Sequence, residues 1–276
     1  MTGDQLIRPR SGSFGGVPYV ALPPTAIDIE HTDGLIVCWH GFDPPRNQTA
    51  LAAALPMTGV PLWRVYLGLR LPDVSEHDYL QLLGSVADRA VAELPGTVAE
   101  LRSLLELPDG PIGLVGHGEG GTLALLALAQ RRIPITAAAL VAPIVVPARA
   151  VQARERRYGP YPWRAETKEI ADRLDMTVRA GEIAAGAPAI LLVGGGTDQL
   201  VPPDDLSSLR DALDEAGATV ESSSFRMGHA LAAEPGTEPR PPIAAAVSVD
   251  AALTDWFRIP RSSTPQPSFA GTRATD

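Results

Sequence analysis

The chain contains one cysteine, Cys38, and one lysine, Lys168, in 276 residues. A lone cysteine excludes an internal disulfide. Its place in the apolar run Leu35-Ile36-Val37-Cys38-Trp39 predicts a buried, unreactive thiol. Scarce lysine beside abundant arginine, alanine, glycine and proline suits a GC-rich genome and says nothing about activity. No apolar stretch approaches the length of a membrane span. Met1-Thr2-Gly3-Asp4-Gln5 lacks a basic region followed by an apolar one, so no signal peptide is expected and a cytoplasmic location is. Excess positive charge is missing as well. A net charge of −9 argues against nucleic acid or an anionic membrane as partner.

What is present is an alternation of apolar strands and amphipathic helices. Phe14–Leu22 reads as an entry strand or hairpin whose proline suits a sheet edge. Leu35–Trp39, Leu62–Leu67, Ile112–Val115, Ile135–Val141, Ala189–Val193 and Thr219–Ser224 read as further strands. Helices are expected at Leu51–Leu55, at 76–105 with an interruption near Pro95-Gly96, after Gly121, at Asp204–Ala216 and at Ile243–Phe257. Such alternation predicts an α/β fold, a mostly parallel sheet with helices on both faces, as a single domain over residues 1–260. Between Pro143 and Pro188 the alternation stops. Residues 144–187 are expected to form a small lid insertion, with a helix at Glu166–Arg179. Residues 261–276, rich in serine, threonine and proline, read as a disordered tail.

The stretch around which the chain is organised is Ile112-Gly113-Leu114-Val115-Gly116-His117-Gly118-Glu119-Gly120-Gly121. A strand turns through glycines into a helix, the setting of the G-x-S-x-G nucleophile elbow. Serine is what is missing: the central place holds Gly118, and no side-chain nucleophile can come from it. The same residues spell G-x-G-x-x-G, the dinucleotide fingerprint. That pattern also needs an acidic residue about 20 positions on, at the end of the next strand. The next strand ends in Ala142-Pro143, and no Asp or Glu lies between Glu119 and Glu155. The match also lies mid-chain. Neither a dinucleotide nor any other cofactor or metal is called for.

Four landmarks, each just after an expected strand, occur in one order: His40-Gly41-Phe42, the elbow, Asp198 in Gly196-Thr197-Asp198-Gln199, and His229 in Met227-Gly228-His229-Ala230. Together they resemble the α/β-hydrolases of the esterase, thioesterase and dienelactone-hydrolase kind, over about residues 14–257. The resemblance implies that His229 transfers protons and that Asp198 holds its ring. The alternatives are an exposed loop histidine and a turn-forming aspartate; Asp204 and Asp205 read as helix caps. The resemblance also implies an oxyanion hole from the N–H groups of Phe42 and Glu119, the Glu119 carboxylate packing behind the elbow, with a part in the pocket as the lesser alternative. His40 and His117 are then structural. In the insertion, Tyr158, Tyr161 and Trp163 either line a substrate cavity or anchor the lid.

A histidine base facing two N–H donors could abstract a proton α to a carbonyl, as in an epimerase, isomerase or lyase. It could instead activate water for hydrolysis, or the chain could be a non-catalytic binding protein. A glycine engineered in place of serine would point to an ordinary serine hydrolase. The expected partner is a small-molecule or peptide carbonyl compound.

Overall fold

A computed structural model describes residues 8–25, 34–71 and 78–259. The expected disordered tail lies outside the described residues. Eight strands form one sheet in the order β1-β2-β4-β3-β5-β6-β7-β8. They are β1 (Arg10–Phe14), β2 (Val17–Leu22), β3 (Leu35–Trp39), β4 (Trp63–Leu67), β5 (Ile112–His117), β6 (Ile135–Val141), β7 (Ala189–Gly195) and β8 (Thr219–Phe225). The β1–β2 hairpin is antiparallel and β2 pairs antiparallel with β4; the other pairings are parallel. Strands β3, β4 and β5 are buried along their whole length, as a sheet covered on both faces requires. In β3, Leu35, Val37 and Trp39 enter one core, while Ile36 and Cys38 enter the other. Burial pushes the Cys38 thiol pKa up, only partly offset by the Arg64 charge, and the group is inert.

Helices α1 (Gln48–Ala54) and α8 (Ala244–Arg258) cover one face. The other face carries α2 (Tyr79–Leu105), α3 (Glu119–Gln130), α7 (Pro203–Glu215) and the insertion helices α4 (Pro147–Tyr158), α5 (Ala165–Arg173) and α6 (Ala180–Ala184). The expected break near Pro95 does not occur: α2 is continuous. A mid-helix proline costs about 3 kcal/mol. The stripe Leu80, Leu83, Ala87, Val91, Leu94, Val98, Leu101 and Leu105 keeps its phase across it and is buried throughout. At roughly 1.5–3 kcal/mol per buried leucine or valine, packing outweighs the proline.

Two smaller expectations also change. Strand β2 lies between β1 and β4, not at an edge. Pro18 is tolerated because its carbonyl accepts from the Gly68 N–H, so its ring nitrogen faces chain beyond the end of β4. The helix expected at Glu166–Arg179 stops at Arg173 with the end of α5, and a turn leads from there to α6. There Asp175 Oδ1 accepts the Thr177 N–H at 3.0 Å and the Met176 N–H goes to the Val145 carbonyl, diverting both from helix.

Candidate active site

The sheet delivers the site residues from the carboxyl ends of β3, β5, β7 and β8. Between β5 and α3 the turn is made by Gly118 alone, at φ 56° and ψ −121°. Its neighbours are small because backbone passes through the space. A Cβ on Gly116 would stand 2.2 Å from the Gly120 carbonyl oxygen, and one on Gly120 would stand 2.3 Å from the Trp39 oxygen. These glycines let α3 lie against β3 and β5. At Gly118 the nearest atom is different: a Cβ would lie 3.1 Å from His229 Nε2.

His229, beyond β8, donates from Nδ1 to Asp198 Oδ2 at 2.9 Å. Asp198 is fixed in turn, its Oδ1 accepting the N–H groups of Leu200 and Val201 at 2.8 and 3.0 Å. That leaves the buried His229 Nε2 without a hydrogen-bond partner among the described residues, facing the Gly118 turn. Burial lowers the His229 pKa, but the hydrogen bond and charge of Asp198, with Glu119 and Asp43, outweigh it and leave it raised. His117 donates from Nε2 to the His229 carbonyl at 2.9 Å, and burial is the main cause that pushes its pKa down to about 4. His40 donates from Nδ1 to the Gly41 carbonyl at 2.7 Å and accepts the Leu69 N–H at 3.2 Å. Burial pushes it down to about 4 as well. Both rings are neutral struts around the His229 loop and the Gly41 loop.

The Glu119 carboxylate is not behind the elbow. It is fully buried beside the Gly41 loop: Oε2 accepts the Phe42 N–H at 2.8 Å, and Oε1 accepts the Tyr79 hydroxyl at 3.1 Å. Arg154, from α4, donates through one nitrogen, Nη2, to both Glu119 Oε1 at 3.2 Å and Asp43 Oδ2 at 2.8 Å. Its guanidinium lies 4.5 Å over the Tyr79 ring. Of the two N–H groups expected to face a substrate oxygen, that of Phe42 is therefore engaged by Glu119. The N–H of Glu119 belongs to the first turn of α3, where no intrahelical acceptor exists.

No family model and no curated protein matches the sequence, but many solved structures match the fold. An acylaminoacyl peptidase from Pyrococcus horikoshii superposes with a TM-score of 0.63 at 17% identity, covering 90% of this chain and 41% of that one. The chain thus spans about two fifths of that peptidase. TT1662 from Thermus thermophilus gives 0.64 at 18% identity over 92% of this chain and 100% of its own. The thioesterase domain from the curacin biosynthetic pathway gives 0.52 at 17%, over 90% and 98%. The chain has the α/β-hydrolase fold.

Within this α/β-hydrolase fold, two cavities meet at the Asp43–Arg154 pair. The smaller, about 430 Å³, is lined by His229, Thr197, Gln199, Leu200 and Glu234 among others. The larger, about 740 Å³, is lined by Phe42, Tyr79, Leu82, Val151 and Tyr161 among others. Asp43, Arg154 and Tyr158 border both. Trp163 borders neither. It packs edge-on against Tyr161, centroids 5.1 Å apart, and against the core. Tyr161 is itself held by its hydroxyl on Asp78 at 2.9 Å. We expect Trp163→Ala to destabilise the protein by about 2 kcal/mol, read by thermal unfolding, while leaving ligand affinity unchanged. Weaker ligand binding with an unaltered melting temperature would place Trp163 at the cavity instead.

Asp205 also differs from expectation. It does not cap α7, whose N-cap is Pro202; it is buried and ion-paired with Arg149 of α4. Sequence reasoning missed Arg154, Asp43 and Tyr79 altogether. Arg154 stands in the charged run Arg154-Glu155-Arg156-Arg157, with nothing in its spacing to set it apart.

Proposed function

We propose that this protein is a proton-transfer enzyme of the epimerase, isomerase or lyase type acting on a small-molecule or peptide carbonyl compound. The observation that supports this best is the His229 Nε2, buried, unpartnered and aimed at a turn whose central residue, Gly118, supplies no nucleophile. Gly118 stands where the nucleophile of a serine hydrolase would stand. His229 takes the α-proton on Nε2, and the electron pair of the C–H bond moves onto the carbonyl oxygen as an enolate. Asp198 stabilises the imidazolium, consistent with the raised His229 pKa. The Glu119 N–H at the head of α3 stabilises the oxygen. Reprotonation by His229 after the enolate has turned over in the cavity epimerises, reprotonation at another carbon isomerises, and expulsion of a β-substituent with the electron pair is the lyase course. Fold neighbours named as an acylaminoacyl peptidase and a thioesterase domain are in keeping with a carbonyl substrate, and the net charge of −9 with a partner other than nucleic acid.

The test is solvent exchange. Esters, thioesters and peptides with acidic α-hydrogens, incubated in deuterium oxide, should gain deuterium without cleavage. His229→Ala should slow uptake by about 10²–10⁴-fold. Cleavage without uptake would instead make the histidine a water-activating base. A second reading, a non-catalytic binding protein, is favoured by the Glu119 carboxylate on the Phe42 N–H. It prevails if a ligand binds and shows neither uptake nor cleavage.

A further inference from the structure

Glu119 and Arg154 are held in one arrangement, for which the same groups offer an alternative. A carboxylate on a backbone N–H makes a charge-assisted bond roughly twice as strong as that of a neutral carbonyl. A substrate carbonyl therefore does not displace Glu119 from Phe42 while Glu119 keeps its other partners. Those partners come from separate elements: Tyr79 opens α2, and Arg154 belongs to the insertion helix α4. Arg154 is poorly satisfied as it stands. One nitrogen serves two carboxylates, and its Nε–H is buried with no partner. Turning the guanidinium so that Nε and Nη2 both face Asp43 pairs that N–H and gives up Glu119. Each arrangement leaves something unpaired, which is the condition for a switch between them.

We propose that the Glu119 carboxylate is a reversible occupant of the oxyanion position, held there by Arg154, and that the Phe42 N–H reaches a substrate oxygen only when Arg154 shifts onto Asp43. Arg154 is then a positioning residue. It borders both cavities, so a ligand long enough to extend from His229 into the larger chamber meets it. Ligand entry and completion of the hole become one event. The substrate class follows: an extended acyl or peptidyl compound whose reacting carbonyl lies at Gly118 and whose tail fills the chamber lined by Phe42, Tyr79 and Tyr161. This inference rests on the proton-transfer reading for its purpose, but not for its test.

The test reads the Phe42 amide without any substrate. The chain has five phenylalanines, so protein labelled with ¹⁵N-phenylalanine gives an amide spectrum of at most five signals. Phe42→Tyr identifies the one from residue 42. In the unaltered protein that proton should lie downfield and exchange slowly. Arg154→Met should move it upfield and speed its exchange at least about tenfold, while Arg154→Lys restores most of the original position. The remaining phenylalanine signals report whether the fold is intact. If Glu119→Ala does not fold, Glu119→Gln, which keeps the shape and loses the charge, should give a smaller upfield shift. A Phe42 amide unmoved by Arg154→Met in a folded variant overturns the switch. One unmoved by either Glu119 variant removes the occupant as well. Deuterium uptake by substrate decides the enzyme reading separately, so each idea can fail alone.

Discussion

With serine at position 118, a fluorophosphonate probe should label the protein stoichiometrically and nitrophenyl esters should be cleaved; with glycine, neither should occur. The geometry states the terms. A Cβ at this position lies 3.1 Å from His229 Nε2, so the ring must retreat by a few tenths of an ångström. The backbone sits at φ 56°, which costs a non-glycine residue roughly 1–3 kcal/mol. In return Nε2 gains a hydroxyl partner, and Asp198 already holds the ring in the tautomer that accepts from it. Turnover should nevertheless be slow. With the Phe42 N–H engaged by Glu119 the hole has one donor, and losing one costs about 10²–10³ in kcat. An initial burst of nitrophenol followed by a slow steady state is the expected trace. Adding Arg154→Met should recover much of that loss. Labelling of the glycine protein at the cavity floor would contradict the assignment of Gly118, and a folded serine variant that resists the probe would show that His229 is out of line.

Lowering the pH from 6.5 to 5 should cost the fold about 3 kcal/mol, mainly through His40 and His117. Burial holds both folded pKa values near 4, below the unfolded value of 6.5. The unfolded chain therefore binds protons that the native one refuses. Stability from these rings is complete above the unfolded pKa and is lost as pH falls toward the folded one. His229 does not add to this slope. Its raised pKa gives a contribution fully present below 6.5 that fades only as pH rises through the folded value. Carboxylates with ordinary values titrate lower; Asp205 and Asp250, raised by burial, act with the opposite sign and make the measured loss smaller. Urea midpoints at pH 7.5, 6.5, 5.5 and 5 measure it. A flat profile over that range would mean that the two rings protonate in place.

The sheet was legible from sequence because apolar runs bounded by turns leave little choice: β3 and β6 have the expected ends, and β4, β7 and β8 lie within two residues of them. The helices were less so. Pro95 signals a break locally, and only the unbroken apolar stripe on either side of it overrides that signal. At the site, His229, Asp198 and Gly118 were legible because each follows a strand of a parallel sheet, whose carboxyl ends converge. The Glu119 carboxylate was not. Its position depends on Tyr79, 40 residues before it, and on Arg154, 35 residues after it. Neither spacing has a period, so no pattern in the chain could announce the contact. Asp205 was misread for a similar reason. Two acids at a helix start look like caps, and the arginine that takes one of them comes from the insertion.

The elbow glycines also differ in what mutation can do to them. At 116 and 120 any side chain meets backbone, so those codons are closed to change however useful the new residue would be. At 118 the obstacle is a histidine ring that can give way. Two of the serine codons become glycine codons by one base change, and the reverse step is as short. Nucleophile and no nucleophile are therefore adjacent genotypes on an unchanged scaffold. A lineage carrying this fold can gain or lose a hydroxyl at position 118 without rebuilding the backbone around it.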